Sequence, residues 1–182
     1  MFQTVTSEII ETLGRYEFNR ILVTCPHCYN TFKNDYPLFD AAYDVVHHAQ
    51  FIQELVASKQ LALSVSKKQD SIVYHDSCYL GRYNGIYEAP RKVLESAGCS
   101  LVSLPRERER GFCCGAGGGR MWLEETGASI AGIRAEELLA TGSARIAAAC
   151  PFCITMLTDG VKDLKAAVPV LDIAEIMVEH LA

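Results

Sequence analysis

Residues 144–153, Ala144-Arg145-Ile146-Ala147-Ala148-Ala149-Cys150-Pro151-Phe152-Cys153, decide how this chain is read. Ala144–Ala149 is a short apolar run followed at once by Cys150 and Pro151. Proline's missing donor costs nothing in the first turn of a helix, so the pattern predicts a strand ending at Cys150 and a helix starting there. Asn19-Arg20-Ile21-Leu22-Val23-Thr24-Cys25-Pro26-His27-Cys28 repeats it 125 residues earlier. At that offset, with no gap, Glu11 and Leu13 fall on Glu136 and Leu138, Val45 on Val170, Ala49 on Ala174, Glu54 on Glu179 and Ala57 on Ala182. Residues 1–57 and 126–182 therefore read as two copies of one unit: helix, strand, Cys-Pro-x-Cys, helix, strand, helix.

Working outward, Thr126–Leu139 carries Ile130, Ile133 and Leu138 at helical spacing, with Gly142 as a stop. Val168–Leu171 reads as a strand and Asp172 as the cap of a last helix. Ahead of the second copy, Ser71–His75 and Ser100–Leu104 read as strands, and Ala89–Ala97 as a helix ended at Gly98. The first copy has no such segment before it. The chain thus divides into residues 1–57, the back half of a first unit; residues 58–70, a solvated link with Lys59, Lys67 and Lys68; and residues 71–182, a complete unit. Strands alternating with helices predict an α/β fold with mainly parallel sheets and flanking helices, in one and a half copies of the unit, its functional loops at the carboxyl ends of the strands. A half-unit should expose apolar surface where its missing strands would pack, which predicts a partner chain or a homodimer, the alternative being that the sequence is a fragment of a longer polypeptide.

Composition narrows the function. The chain has 182 residues, 49% hydrophobic and 21% charged, enough for a core without covalent staples. A net charge of −5 without a basic stripe excludes nucleic-acid binding as an expectation. No apolar run is long enough for a transmembrane segment, and Met1–Arg20, with Glu8, Glu11 and Glu17, lacks the apolar core of a signal peptide. The chain is expected to be cytoplasmic, with any membrane association made through partners.

Against that background stand eight cysteines: Cys25, Cys28, Cys78, Cys99, Cys113, Cys114, Cys150 and Cys153. Reducing compartments do not favour disulfides, so metal or redox chemistry leads. The complete unit offers Cys78, then 34 residues, Cys113-Cys114, then 35 residues, and Cys150-x-x-Cys153. Adjacent cysteines do not easily face one mononuclear ion, and zinc prefers paired Cys-x-x-Cys hairpins, so a polynuclear centre suits the set better.

This Cys78-x34-Cys113-Cys114-Gly115-x34-Cys150-Pro151-x-Cys153 pattern resembles the cysteine-rich CCG domain of the heterodisulfide reductase B-like family. That family includes iron–sulfur subunits of glycolate, lactate and glycerol-3-phosphate oxidation systems. His75-Asp76-Ser77-Cys78-Tyr79-Leu80-Gly81-Arg82 and Phe112-Cys113-Cys114-Gly115-Ala116-Gly117-Gly118-Gly119-Arg120-Met121-Trp122 are most similar to the branch of larger oxidoreductases linked to electron-transferring flavoprotein and a membrane quinone. The resemblance implies that Cys78, Cys113, Cys114, Cys150 and Cys153 ligate a [4Fe–4S] cluster, noncubane in the heterodisulfide reductases, within an electron-transfer module whose partners are other oxidoreductase subunits or an electron-transfer protein. Family members normally carry two motifs, and here the first is reduced to Cys25 and Cys28.

Other residues take supporting roles. Gly115 and Gly117 are expected to bring backbone N–H groups to the cofactor, where such donors raise a cluster's potential. Arg120 in place of a third glycine argues against a dinucleotide fingerprint. Cys25 and Cys28 could hold zinc or a shared cluster, act as a redox dithiol, or be remnants. His75 and Asp76 are candidates for proton relay, or for holding the loop before Cys78 in place. Cys99 reads as a buried inert thiol, His27 as exposed, His47 as a helix-start residue and His180 as solvated. Trp122 and Met121 read as packing at a helix start. The run Arg106-Glu107-Arg108-Glu109-Arg110 reads as a solvated loop or a docking surface for an acidic partner. The alternative to the electron carrier is a zinc-binding or cluster-free assembly protein.

Overall fold

Short apolar runs that alternate with amphipathic segments can bury themselves only by stacking strands side by side under helices, and they do so twice here. The computed structural model describes residues 1–64, 70–123 and 127–182. In the first copy α1 (Phe2–Leu13) leads to β1 (Ile21–Val23), α2 (Pro26–Asn30), β2 (Val45–His47) and α3 (His48–Ala57). The complete unit follows as β3 (Ser71–Tyr74), α4 (Glu88–Ser96), β4 (Ser100–Val102), α5 (Ile130–Leu139), β5 (Arg145–Ala148), α6 (Pro151–Asp163), β6 (Val170–Asp172) and α7 (Ile173–Val178).

All the paired strands are parallel, in a two-stranded sheet β1-β2 and a four-stranded sheet in the order β4-β3-β5-β6. The repeat extends to register: Ile21 pairs with Val45 as Ile146 pairs with Val170, and Val23 with His47 as Ala148 with Asp172. It extends to surface charge as well. Arg20 binds Glu54 at 2.8 Å, and their counterparts Arg145 and Glu179 meet at 2.6 Å.

Central strands β3 and β5 are buried on both faces, which is why they read as continuous apolar runs. Successive residues serve opposite faces. Ile72, Tyr74 and Ala147 join Ala49 of α3, Val93 and Leu94 of α4, and Ile173 and Ile176 of α7. Val73, Ile146 and Ala148 join Ala135 and Leu138 of α5, Leu157 and Val161 of α6, and the sulfurs of Cys114, Cys150 and Cys153. The cysteines thus lie on the α5–α6 side, where the two helices approach closely: a Cβ at Gly160 would stand 2.8 Å from the Ala131 carbonyl oxygen.

Several sequence expectations shift. Helix α5 starts at Ile130 because the Ser129 Oγ accepts from Gly132 N at 2.9 Å; Thr126 lies outside the described residues. Where α6 runs unbroken for 13 residues, α2 gives way to a π-helical turn (Thr31–Asp35) and a 3₁₀ turn (Tyr36–Phe39) around Pro37. Of the stretch read as a solvated link, residues 58–60 are exposed, whereas Leu61 and Leu63 pack on the core and Leu63 bridges Leu181. Lys67 and Lys68 lie outside the described residues. That bridge also corrects the reading of His180: its carbonyl accepts from Ser64 N at 2.9 Å and the residue is buried.

Candidate metal centre

Parallel strands deliver their following loops to one edge of the sheet, and the cysteines of the complete unit lie on the loops after β3, β4 and β5. Cys150 is the extended N-cap of α6 and Cys153 sits one turn in, so both sulfurs emerge on one side of the helix start. Cys113-Cys114 precede Gly115, whose φ of +94° is a left-handed conformation. A Cβ there would meet Ile130 Cβ at 3.2 Å and Ala131 N at 3.3 Å, so the glycine lets the loop press against the start of α5. The Gly115 amide donates to Cys113 Sγ at 3.3 Å. Gly117, by contrast, is exposed.

The sulfurs interact as an unbroken row: Cys78 with Cys113, Cys113 with Cys114, Cys114 with Cys153, Cys153 with Cys150, and Cys150 with Cys25. Hydrogen bonds from Cys114 and Cys78 pull the Cys113 thiol down to about 2, and those from Cys153 and Cys25 lower Cys150. Cys114, Cys150 and Cys153 are buried, while Cys78 and Cys113 are partly open to solvent. Among the described residues, one trio of ligand atoms lies within 4.8 Å of one another, from His75, Cys114 and Cys153. Cys99 is buried apart from the row, as expected.

His75 and Asp76 are both buried and both engaged. His75 Nδ1 accepts from Arg134 Nε at 3.1 Å; burial, then the Arg134 charge, lowers its pKa to about 4. Asp76 accepts from Arg91 Nη1 at 2.7 Å and Nη2 at 2.8 Å, and from Arg108 N at 2.8 Å. Asp76 therefore holds the loop that leads into Cys113, and the loop-holding reading fits it. Arg134 was missed as a functional residue. Its signal was an arginine on the apolar stripe Ala131, Arg134, Ala135, Leu138 of α5.

Packing refines or corrects other sequence readings. Part of the charge run is tied to the protein, since Arg106 pairs with Glu137 at 3.0 Å and lies over the Phe112 ring, Glu107 approaches Arg91 at 3.5 Å and Arg108 binds Glu88, while Glu109 and Arg110 are exposed. His27 is half-buried, its ring 4.2 Å from that of Tyr79 and 5.0 Å from that of Phe152. With Gly117, Gly119, Met121, Trp122 and Phe152 it lines a cavity of about 240 Å³. Trp122 is 78% exposed on a 3₁₀ turn rather than packed, whereas Met121 does pack against the α5–α6 core.

The first copy packs against the second. Besides the Cys25–Cys150 approach, Asn84 donates to the Tyr79 carbonyl at 2.7 Å and to Asn30 Oδ1 at 3.1 Å, while Asn34 donates to Asn84 Oδ1 at 3.0 Å. These bonds seat α2 over the loop that carries Cys78. Cys28 is exposed, and neither Cys25 nor Cys28 belongs to a close trio of ligand atoms among the described residues.

Known proteins bear on this geometry. Residues 72–158 match the cysteine-rich domain called CCG. The chain is 41% identical over 187 residues to the EtfAB:quinone oxidoreductase of Syntrophomonas wolfei, covering 97% of this chain and 26% of that protein. It is 39% identical over 187 residues to a probable membrane-anchored ferredoxin of Chromohalobacter salexigens, covering 99% of this chain and 28% of that one. It is 32% identical over 177 residues to a subunit of the dihydromethanophenazine:CoB–CoM heterodisulfide reductase of Methanosarcina mazei, covering 94% and 43%. The chain thus spans about a quarter of the first two and under half of the third. No helix among the described residues is long and apolar enough to cross a membrane. Nothing in these relatives favours the homodimer expected from sequence. The parallel-strand fold, the cysteine-bearing loops and these relatives agree: residues 72–158 form a CCG cysteine-rich domain, and nearly the whole chain is similar to one segment of these larger proteins.

Proposed function

We propose that this chain is the electron-transfer part of a larger iron–sulfur oxidoreductase and that Cys78, Cys113, Cys114, Cys150 and Cys153 hold one [4Fe–4S] centre. The observation that supports this is that the loops carrying Cys78, Cys113-Cys114 and Cys150-x-x-Cys153 meet at the carboxyl edge of one parallel sheet, with the Cys114 and Cys153 sulfurs within 4.8 Å of each other. Thiolates around one zinc ion would stand about 3.8 Å apart from one another, as Zn–S bonds near 2.3 Å require. A row strung along three loops fits a centre with several metal atoms and its own sulfides better.

Such a cluster supplies one-electron exchange. The chain's own part is to ligate it, to keep water from Cys114, Cys150 and Cys153, and to leave the Cys78–Cys113 side open to a partner. The Gly115 amide stabilises charge on Cys113. A noncubane form, with a disulfide sulfur approaching an iron, is the more specific version of the proposal. Electron-transferring flavoprotein and further oxidoreductase subunits are the proposed partners, and any membrane contact would be made through them.

The second reading is a zinc protein, favoured by the His75, Cys114 and Cys153 trio. Anaerobic reconstitution with iron and sulfide separates the two. We expect several irons and equivalent labile sulfide per chain, a broad visible absorption, and iron loss in Cys114→Ser. Zinc at one per chain without labile sulfide supports the second reading. Unchanged iron in both Cys78→Ser and Cys113→Ser overturns the ligand set.

A further inference from the structure

Arg134 is fully buried on α5, with three of its donors oriented by the fold. Nε donates to His75 Nδ1 at 3.1 Å, and Nη1 donates to Glu137 Oε2 at 2.5 Å and to the Arg106 carbonyl at 3.1 Å. Nη2, which shares an edge of the guanidinium with Nε, is buried without a hydrogen-bond partner among the described residues. Glu137 also binds Arg106, so one carboxylate faces two guanidinium groups at this edge of the site.

A guanidinium nitrogen can only donate. His75 Nδ1 must therefore accept, and the one proton of the neutral ring sits on Nε2. A nitrogen that carries a proton donates hydrogen bonds and does not ligate a metal. The main chain of His75 is held in the sheet, where its N donates to the Ala147 carbonyl at 2.8 Å. A ring nitrogen of His75 stands within 4.8 Å of the Cys114 and Cys153 sulfurs.

We infer that His75 is a positioning residue rather than a ligand: Arg134 fixes its tautomer so that Nε2–H donates to the Cys114–Cys153 side of the metal centre. This rests on the cluster proposed above. A donor to ligating sulfur withdraws electron density and stabilises the reduced state, so His75 raises the reduction potential. The unpartnered Arg134 Nη2 adds positive charge on the same side.

Two measurements test this independently of each other. In the reduced, metal-free protein, long-range proton–nitrogen correlation of the imidazoles should show His75 with a bare Nδ1 and a protonated Nε2, its signal identified by its loss in His75→Gln. A protonated Nδ1 overturns the inference whether or not a cluster forms. In the reconstituted protein, His75→Leu should retain the iron content and show a lower midpoint potential, while His75→Gln, whose amide restores a donor near Nε2, should stay near the parent. A folded His75→Leu that loads no iron would make His75 a ligand, and one with unchanged potential would remove its tuning role; either overturns the inference. If His75→Leu fails to fold, the imidazole spectrum and the His75→Gln potential still decide. A parent chain that takes up no iron sinks the cluster proposal, while the imidazole spectrum still reads the tautomer.

Discussion

His48 Nε2 lies 2.9 Å from Asp172 Oδ1, and this contact ties the helix start of one copy to the helix start of the other. Asp172 also accepts from Ala174 N at 2.8 Å, and its own amide donates to Glu175 Oε2 at 2.7 Å, completing a capping box on α7. One carboxylate thus ends a strand, starts a helix and bridges two halves of the molecule. Asp172→Ala should lower unfolding free energy by about 2–3 kcal/mol, the sum of a lost cap and a lost partly buried hydrogen bond. His48→Ala should cost less, and the double variant should cost less than the two singles added, because both remove the same bridge. Urea titrations followed by circular dichroism check all three.

His47 occupies in the first copy the position of Asp172 in the second, and it caps α3 with a ring nitrogen. Nδ1 accepts from Ala49 N at 3.3 Å, and Nε2 lies 3.2 Å from the Thr24 carbonyl, so the cap needs the neutral ring with its proton on Nε2. Burial, then the neighbouring His48, lowers the His47 pKa to about 4, with Asp172 and Cys150 opposing. The unfolded chain takes up this proton near pH 6.5 and the folded one only near pH 4, so the contribution is full above 6.5 and fades as pH falls through that window. At 1.36 kcal/mol per unit, roughly 3 kcal/mol is at stake. His47→Asn, a cap that does not titrate, should flatten the loss of stability between pH 7 and pH 4.5. An equal pH dependence in parent and variant would contradict the assignment.

Much of the fold was legible because a repeat is read twice. The apolar runs before Cys150 and Asp172 gave β5 and β6, the 125-residue offset carried both to the first copy, and the structure reproduces the repeat down to strand register. The ligand candidates were equally visible, since five cysteines on three loops need no knowledge of packing. What the sequence hid were residues whose role depends on what covers them. His180 lies two residues from the end of the sequence yet is buried, because residues 61–64 pair with it across the chain. His27 lies between two cysteines and reads as exposed, yet Tyr79 and Phe152 flank it. Arg134 lies on the apolar stripe of α5, but its partner His75 is 59 residues away in the sequence and is brought to it only by packing.

Gly160 shows how tight that closeness is. A Cβ there would lie 2.8 Å from the Ala131 carbonyl oxygen, 3.1 Å from its carbon and 3.1 Å from Ala135 Cβ. Backbone cannot yield as a flexible side chain does, so Gly160→Ala should force α6 away from α5 despite alanine's better helix propensity. We expect a loss of about 1–3 kcal/mol. Because α6 begins at Cys150 and carries Cys153, the same variant should take up iron more slowly on reconstitution. A stabilised variant would mean that the two helices have slack.

Asp76 and Arg91 meet through two hydrogen bonds, with both side chains almost sealed from water. The pair links α4 to the loop after β3, and through Arg108 N it reaches the loop before Cys113. Removing one member strands the other's charge, so Asp76→Ala should cost about 3–5 kcal/mol. Asp76→Ala combined with Arg91→Leu should recover a substantial part of that loss, because no buried charge then remains. The two losses are separable by measurement. Stability should return in the double variant, whereas iron uptake should stay impaired, since the carboxylate that fixes the Arg108 amide ahead of Cys113 is still missing. Recovery of both would show that the Asp76–Arg91 pair serves folding alone and that the cysteine loop is held by its other contacts, among them the 2.6 Å bond from Arg82 Nη2 to the Gly111 carbonyl.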